Sequence, residues 1–250
     1  MFPAAAAVIF VLAGLFAMLG LGGGILYTPV LTWLGFDVVG TAIPVSLLLN
    51  GLTTLSAAVA YGRSGMVDWR GGLPLAATSL AAAPMGALGT RHLPTDAILT
   101  LLALAMAASG GRMLATARGP EPDRRAPPAK RAALSALAGV GIGLIAGLLG
   151  IGGGFLIVPL LLALGYPTKR AAATSAFVVT FASFSGFAGH AALGDLPWGL
   201  IAASGAAVVV ASHLGARLMR DRMNSRWLKP GFGVLLLAVA AKLTMPVIAG

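Results

Sequence analysis

Gly20-Leu21-Gly22-Gly23-Gly24-Ile25-Leu26-Tyr27-Thr28-Pro29 returns later in the chain as Gly150-Ile151-Gly152-Gly153-Gly154-Phe155-Leu156-Ile157-Val158-Pro159. The copies correspond at an offset of 130 (150 − 20), and each sits between apolar stretches. Glycine opens the backbone to angles that side chains exclude, and proline removes a helical N–H donor. Inside an apolar segment the combination interrupts a helix. Interrupted helices at corresponding places in two hydrophobic halves are the pattern expected of transporters that bind substrate near the bilayer midplane.

Of the 250 residues, 58% are hydrophobic and 10% charged. Soluble domains carry about 25% charged residues, so this chain has too little polar surface to cover a globule in water. The bilayer is its solvent. The net charge of +10 is gathered in two places: Arg112, Arg118, Arg124, Arg125, Lys130 and Arg131, then Arg217, Arg220, Arg222, Arg226 and Lys229. Basic clusters between apolar segments mark cytoplasmic loops. No basic face with interleaved aromatics is present, which argues against nucleic acid as a partner. The lack of cysteine excludes disulfides, thiol redox chemistry and thiolate metal sites. Met1-Phe2-Pro3 has no positive n-region, so the apolar run that follows reads as part of the mature fold rather than a signal.

Working outward from the glycines, apolar segments fall at about 4–20, 24–34, 41–61, 71–89 and 95–117, then 132–149, 154–165, 171–190, 197–216 and 230–249. Most reach the ~17–25 residues needed to span a membrane. The segments after each triple glycine hold only about a dozen residues, under about 20 Å of helix against a hydrocarbon core of about 30 Å. They read as half-helices or as the return limbs of re-entrant hairpins. The repeat continues beyond them: Gly35 matches Gly165, and after a one-residue deletion Ser46 matches Ser175 at 129 (175 − 46), as do Ser56 and Ser185, Trp69 and Trp198, and Gly86 and Gly215. The expected fold is an all-α polytopic membrane protein of two repeats. The first occupies 1–117 and the second 132–250, with a Pro-, Arg- and Ala-rich linker at 118–131 between them.

Placing that linker in the cytoplasm and threading outward puts Lys169, Arg170 and Arg217 to Lys229 inside and Asp195 outside. Threading backward puts Arg63 and Arg70 inside and Asp37 outside. Only Arg91 falls on the opposite side from the rule. Each half then crosses an odd number of times, so the second is inverted relative to the first, the architecture of many secondary transporters. Gly40, Ala192 and both termini are expected outside, and Gly119 and Arg222 inside.

The candidate binding residues follow from what backbone and side chains can offer at membrane depth. Gly22, Gly23 and Gly24, with Gly152, Gly153 and Gly154, leave N–H groups uncovered at the start of a half-helix, whose partial positive charge suits an anion. Close helix packing is the other reading of such glycines. A hydroxyl-rich constellation accompanies them: Thr28, then Ser46, Asn50, Thr53, Thr54 and Ser56 on one segment, and Thr174, Ser175, Thr180, Ser183 and Ser185 on its counterpart. Ser46, Asn50 and Thr53 share one helical face. Such groups hydrogen-bond a substrate or tie helices together. No Asp, Glu, Lys or Arg lies in the middle of an apolar segment, so a relay built on intramembrane carboxylates has no support. His213, about four residues inside the Arg217 boundary, is the candidate for proton coupling, and a histidine bonded to a backbone carbonyl is the alternative. Tyr27, Tyr61, Trp69 and Trp198 are candidate interfacial anchors.

Catalytic readings find no residues. His92, His190 and His213 have no close carboxylate partner in sequence, no metal-ligand spacing or triad is present, and no Gly-Lys-Ser/Thr follows the glycines as a P-loop requires. The expectation is a non-enzyme without metal or cofactor.

On the two glycine motifs and the Ala172-Ala173-Thr174-Ser175 that follows the second, the chain resembles the sulfite exporter TauE/SafE family of membrane permeases, over essentially its whole length. The resemblance implies a multi-pass plasma-membrane transporter, of the bacterial inner membrane, for small anions such as sulfite or sulfoacetate. The halves depart from symmetry at Pro44-Val45-Ser46, which stands where Thr174-Ser175 closes the second copy. An anion channel, or a membrane protein of the same fold that transports nothing, is the rival expectation. The partners implied are the lipid bilayer and a small anionic substrate, and a homodimer stays open.

Overall fold

A computed structural model describes residues 2–90, 92–116, 128–191, 196–222 and 225–249. Arg91, Gly119, Ala192, Asp195 and most of the 118–131 linker lie outside the described residues. Those described form ten α-helices: α1 (Phe2–Leu19), α2 (Gly24–Trp33), α3 (Ile43–Gly62), α4 (Trp69–Thr90), α5 (Thr95–Ala115), α6 (Pro128–Leu149), α7 (Gly154–Ala163), α8 (Thr168–Ala191), α9 (Trp198–Arg222) and α10 (Ser225–Ala249). A π-helical turn, Val38–Ala42, leads into α3, and the Asp37 carboxylate accepts from the Gly40 N–H at its start.

Six described helices are long and apolar enough to cross a membrane. At 1.5 Å per residue the 20 residues of α3 extend about 30 Å, the thickness of the hydrocarbon core. Outward-facing side chains along these helices are apolar, with Leu137 75% exposed, Met85 65% and Leu104 61%. Such a surface is stable only against lipid. By contrast α2 and α7 have 10 residues each, as short as the sequence requires, and each carries its proline, Pro29 or Pro159, inside the helix. Gly35 and Gly165, with φ of 86° and 87°, end them.

Since lipid tails are as apolar as leucine, helix association rests on close backbone approach. Along α6, Gly139, Gly143 and Gly147 recur every four residues and meet α4. A methyl group on Gly143 would lie 2.6 Å from the Ser79 carbonyl oxygen, and one on Gly147 1.9 Å from that of Ala83. The same seam appears between α1 and α9. A methyl on Gly86 would meet the Leu144 carbonyl oxygen at 2.0 Å, and one on Gly215 the Gly14 carbonyl oxygen at 2.1 Å. Those residues correspond at 129 (215 − 86) and 130 (144 − 14). Thus α4 and α6 pair with each other and with α8, α1 and α9 pair with each other and with α3, and α5 packs along α10. Helices α3 and α8 cross between the first two groups.

One end of the bundle gathers polar side chains from distant segments. The Tyr166 hydroxyl donates to Asp68 Oδ2 at 3.0 Å, and the Asp68 N–H donates to Thr174 Oγ1 at 3.0 Å. Arg131 stacks 5.3 Å from the Tyr166 ring centroid. Lys169 Nζ donates to the Arg220 carbonyl at 3.3 Å, and Arg220 Nη1 to Ser64 Oγ at 3.0 Å.

Candidate functional site

Glycine is needed at the breaks for its backbone angles. Gly20 and Gly22 have φ of 65° and 68°, and Gly150 and Gly152 of 71° and 67°. In this region a side chain costs roughly 1–2 kcal/mol per residue. The positive φ lets the Leu21 N–H donate to the Phe16 carbonyl at 3.4 Å and the Ile151 N–H to that of Ala146 at 3.2 Å, closing α1 and α6. The chain then restarts as α2 or α7. The two restarts differ: Gly23 before α2 has φ −90°, whereas Gly153 before α7 has φ 78°.

Both breaks press on the same two helices and on each other. A methyl on Gly22 would lie 2.0 Å from Asn50 Oδ1 and 2.8 Å from Thr54 Cγ2, both on α3. One on Gly152 would lie 2.4 Å from Ser183 Oγ and 3.1 Å from Val179 Cγ1, both on α8. Positions 179 and 183 correspond to 50 and 54 at 129 (179 − 50). Between the breaks, Gly24 approaches Ile151 at 3.1 Å, and Gly154 approaches the Leu21 carbonyl oxygen at 2.2 Å, for a methyl on each glycine. The two glycine motifs therefore meet at one centre, closed in this conformation, where both half-helices begin.

The polar side chains at this centre are fully buried. Asn50 accepts from the Gly24 N–H through Oδ1 at 2.8 Å and donates through Nδ2 to Ser183 Oγ at 2.7 Å. Thr28 donates across the halves to the Gly150 carbonyl at 3.3 Å. The Thr180 hydroxyl donates to Thr54 at 3.1 Å, and the Tyr27 hydroxyl pairs with Thr53 at 3.0 Å. Ser46 and Ser175, matched by the repeat, differ from all of these. Each is 0% exposed, and neither hydroxyl meets a hydrogen-bond partner. Helical serine and threonine commonly turn back to the carbonyl four residues earlier, as Thr53 does to Leu49 and Thr180 to Ala176.

Of the residues expected at a binding site, Gly22, Gly23, Gly24, Thr28, Asn50, Gly152, Gly153 and Gly154 come together here, and Ser46 and Ser175 flank them on α3 and α8. Thr174 lies toward the polar end of the bundle instead, with its hydroxyl accepting from Asp68. His213 is half-buried on α9 with no described contact to either break. It is His190 that lies against a backbone carbonyl, Nε2 to the Gly147 oxygen at 3.0 Å. Trp69 and Trp198 begin α4 and α9 with 49% and 67% exposure, as anchors do, whereas Tyr27 and Tyr61 are fully buried. Tyr61 donates to the Ala17 carbonyl at 2.7 Å. Sequence reasoning missed the Tyr27–Thr53 pair. Its only sequence signal is that Tyr27 follows the first break while the second copy has Ile157 there.

The centre carries no formal charge: its residues are glycines, hydroxyls and one amide. Its electrostatics come from the N-termini of α2 and α7, each worth about half a positive charge. Chemically, it can offer N–H and O–H donors to a small electronegative group.

The model of the family described as sulfite exporter TauE/SafE matches residues 5–243. Among curated relatives, "Probable membrane transporter protein y4hK" of Sinorhizobium fredii is 28% identical over 244 residues, covering 94% of both chains. "Probable membrane transporter protein YunE" of Bacillus subtilis is 29% identical over 264 residues, 94% of this chain and 96% of that one. "Sulfite exporter TauE/SafE family protein 3" of Arabidopsis thaliana is 49% identical over 45 residues, 18% of this chain and 10% of that one. No solved structure matches the chain. With the match running through both glycine motifs and all ten helices, this multi-pass membrane protein belongs to the sulfite exporter TauE/SafE family of membrane transporters.

Proposed function

We propose that the protein is a secondary transporter of small anions, sulfur oxyanions or organosulfonates such as sulfite and sulfoacetate, working by alternating access with the substrate held between the two glycine breaks. The observation that carries this reading is the matched pair Ser46 and Ser175, buried hydroxyls without partners on the two helices that pack against both breaks. A buried, unsatisfied hydroxyl is expensive unless something else uses it. The uncharged lining and the two helix N-termini favour a ligand with negative charge. Two repeats, 1–117 and 132–250, inverted about a cytoplasmic linker, supply the two-fold frame. The gathering of Arg131, Lys169 and Arg220 at one end, with Ser64 and Asp68 from the loop between Arg63 and Arg70, agrees with the placement of these loops inside. Thr174, at that end, then belongs to the route between site and cytoplasm.

A site of dipoles without a fixed cation favours single charge. Desolvation of a dianion rises with the square of its charge, whereas the dipoles' return rises only linearly. Hydrogensulfite or a sulfonate is therefore preferred over sulfate. Uptake into proteoliposomes tests the reading. Saturable uptake and counterflow of sulfite or sulfoacetate are expected, and Gly153→Val, which adds a branched side chain at φ 78°, should lower the rate about tenfold or more while folded protein is retained. Conductance without saturation would make it a channel, and no flux of any small anion would overturn the reading.

A further inference from the structure

The two breaks correspond in sequence but not in what surrounds them. The polar side chains that the first half has at the break and the second half lacks are already engaged. Asn50 caps the Gly24 N–H at the start of α2, Thr28 reaches the Gly150 carbonyl, and Tyr27 pairs with Thr53. At the corresponding positions the second half has Val179, Val158, Ile157 and Ala182, none of which can hydrogen-bond. No acceptor meets the Gly154 N–H at the start of α7 among the described contacts, and its N-cap, Gly153, has no side chain to offer one.

Two buried hydroxyls lie on the helices, α3 and α8, that pack against the second break. Ser183 accepts from Asn50, and its own proton has no described acceptor. Ser46 is 0% exposed and unpartnered. Its place follows from its neighbours on α3: a methyl on Gly150 would meet Ile43 at 2.6 Å, and one on Gly152 would meet Asn50 Nδ2 at 2.1 Å. Residues 43, 46 and 50 share one helical face, so Ser46 lies on α3 between the two side chains that meet Gly150 and Gly152.

We propose that the anion binds at one break only, the N-terminus of α7, held by the Gly154 N–H and the hydroxyls of Ser46 and Ser183. Asn50 Oδ1 fills the equivalent place at α2 as a permanent, built-in ligand. This rests on the small-anion reading above and adds to it which half-site is used. A carbonyl oxygen on the first N–H of α2 satisfies that donor without charge and removes it from competition. The amide nitrogen of the same Asn50, through Ser183, orients the hydroxyl that remains. One anion then binds per molecule when the centre opens, although the sequence contains two glycine motifs.

The test is to give α7 the cap that α2 already has. Val179→Asn places an amide where Asn50 sits in the other half, and Val179→Thr keeps the valine shape, its hydroxyl free to turn back along the helix. Binding of sulfite to the purified full-length protein in detergent is expected to weaken about tenfold or more in Val179→Asn and less than about twofold in Val179→Thr. Ser46→Ala, a small change that leaves the fold intact, should weaken it by about tenfold. Sulfite bound equally well by wild type and Val179→Asn would overturn the one-sided site, as would a larger loss from Ser175→Ala than from Ser46→Ala. Either result leaves the anion-carrier reading standing, whereas a wild-type protein that neither binds nor moves any small anion removes both.

Discussion

Replacing Asn50 by leucine tests whether one amide holds the two breaks together. The change keeps similar volume and removes both hydrogen bonds. The bond to Ser183 joins α3 to α8 within the membrane, where such pairs contribute about 0.6 and at most about 1.7 kcal/mol. The loss at Gly24 is larger, because the N–H at the start of α2 stays buried without an acceptor, at about 1–3 kcal/mol. Asn50→Leu should therefore destabilise the folded protein by roughly 2–5 kcal/mol. Ser183→Ala removes only the shared bond, and the double variant should lose less than the two single losses added together. Reversible unfolding in mixed detergent micelles measures all three. A loss below about 0.5 kcal/mol for Asn50→Leu, or strict additivity in the double variant, would refute the bridging role.

The glycine seam gives a sharper contrast. Gly147→Val, whose first side-chain carbon falls 1.9 Å from the Ala83 carbonyl oxygen, should destabilise by about 1–3 kcal/mol or more. Gly141→Ala has nothing within 4 Å and should be neutral or stabilising by up to about 1 kcal/mol, and thermal midpoints of the two variants will separate these cases. Single cysteines at Gly40 and Arg222 should be labelled by an impermeant thiol reagent from outside and inside respectively, and labelling of both from one side would reject the inverted arrangement. If His213 couples transport to protons, His213→Gln should lose the response of uptake to an imposed proton gradient, and identical responses in both proteins would remove that role.

Much of the fold is legible in the residues because the membrane restricts the alternatives. Helix lengths follow from the apolar runs, and α2 and α7 begin and end within two residues of the limits that Gly24, Gly154, Gly35 and Gly165 impose. The site is only partly legible. Spacing puts Ser46 and Asn50 on one face of α3, but nothing local to either sequence says that Asn50 meets Gly24 on one side and Ser183 on the other. Thr174 and Ser175 are neighbours in sequence, yet about 100° apart around a helix, so one meets Asp68 and the other is buried without a partner. Composition likewise could not separate Tyr27 and Tyr61, buried against backbone and threonine, from Trp69 and Trp198 at the surface. Tertiary pairing decides those cases.

The glycine seams carry a mechanical consequence. Each joins a helix from one repeat to a helix from the other: α4 to α6, and α9 to α1. Interlocked at backbone contact, such pairs resist sliding, because shear would drive Gly147 into Ala83 or Gly215 into Gly14. The closely packed groups are therefore not the two sequence repeats. One comprises α4, α6, α7 and α8, and the other α9, α1, α2 and α3, each taking one helix from the opposite repeat. They face one another across α3 and α8, where the ties are two side-chain hydrogen bonds, Asn50–Ser183 and Thr54–Thr180. Thr28 to the Gly150 carbonyl adds a third tie between the groups, so any motion that parts them has to break hydrogen bonds beside the glycine breaks.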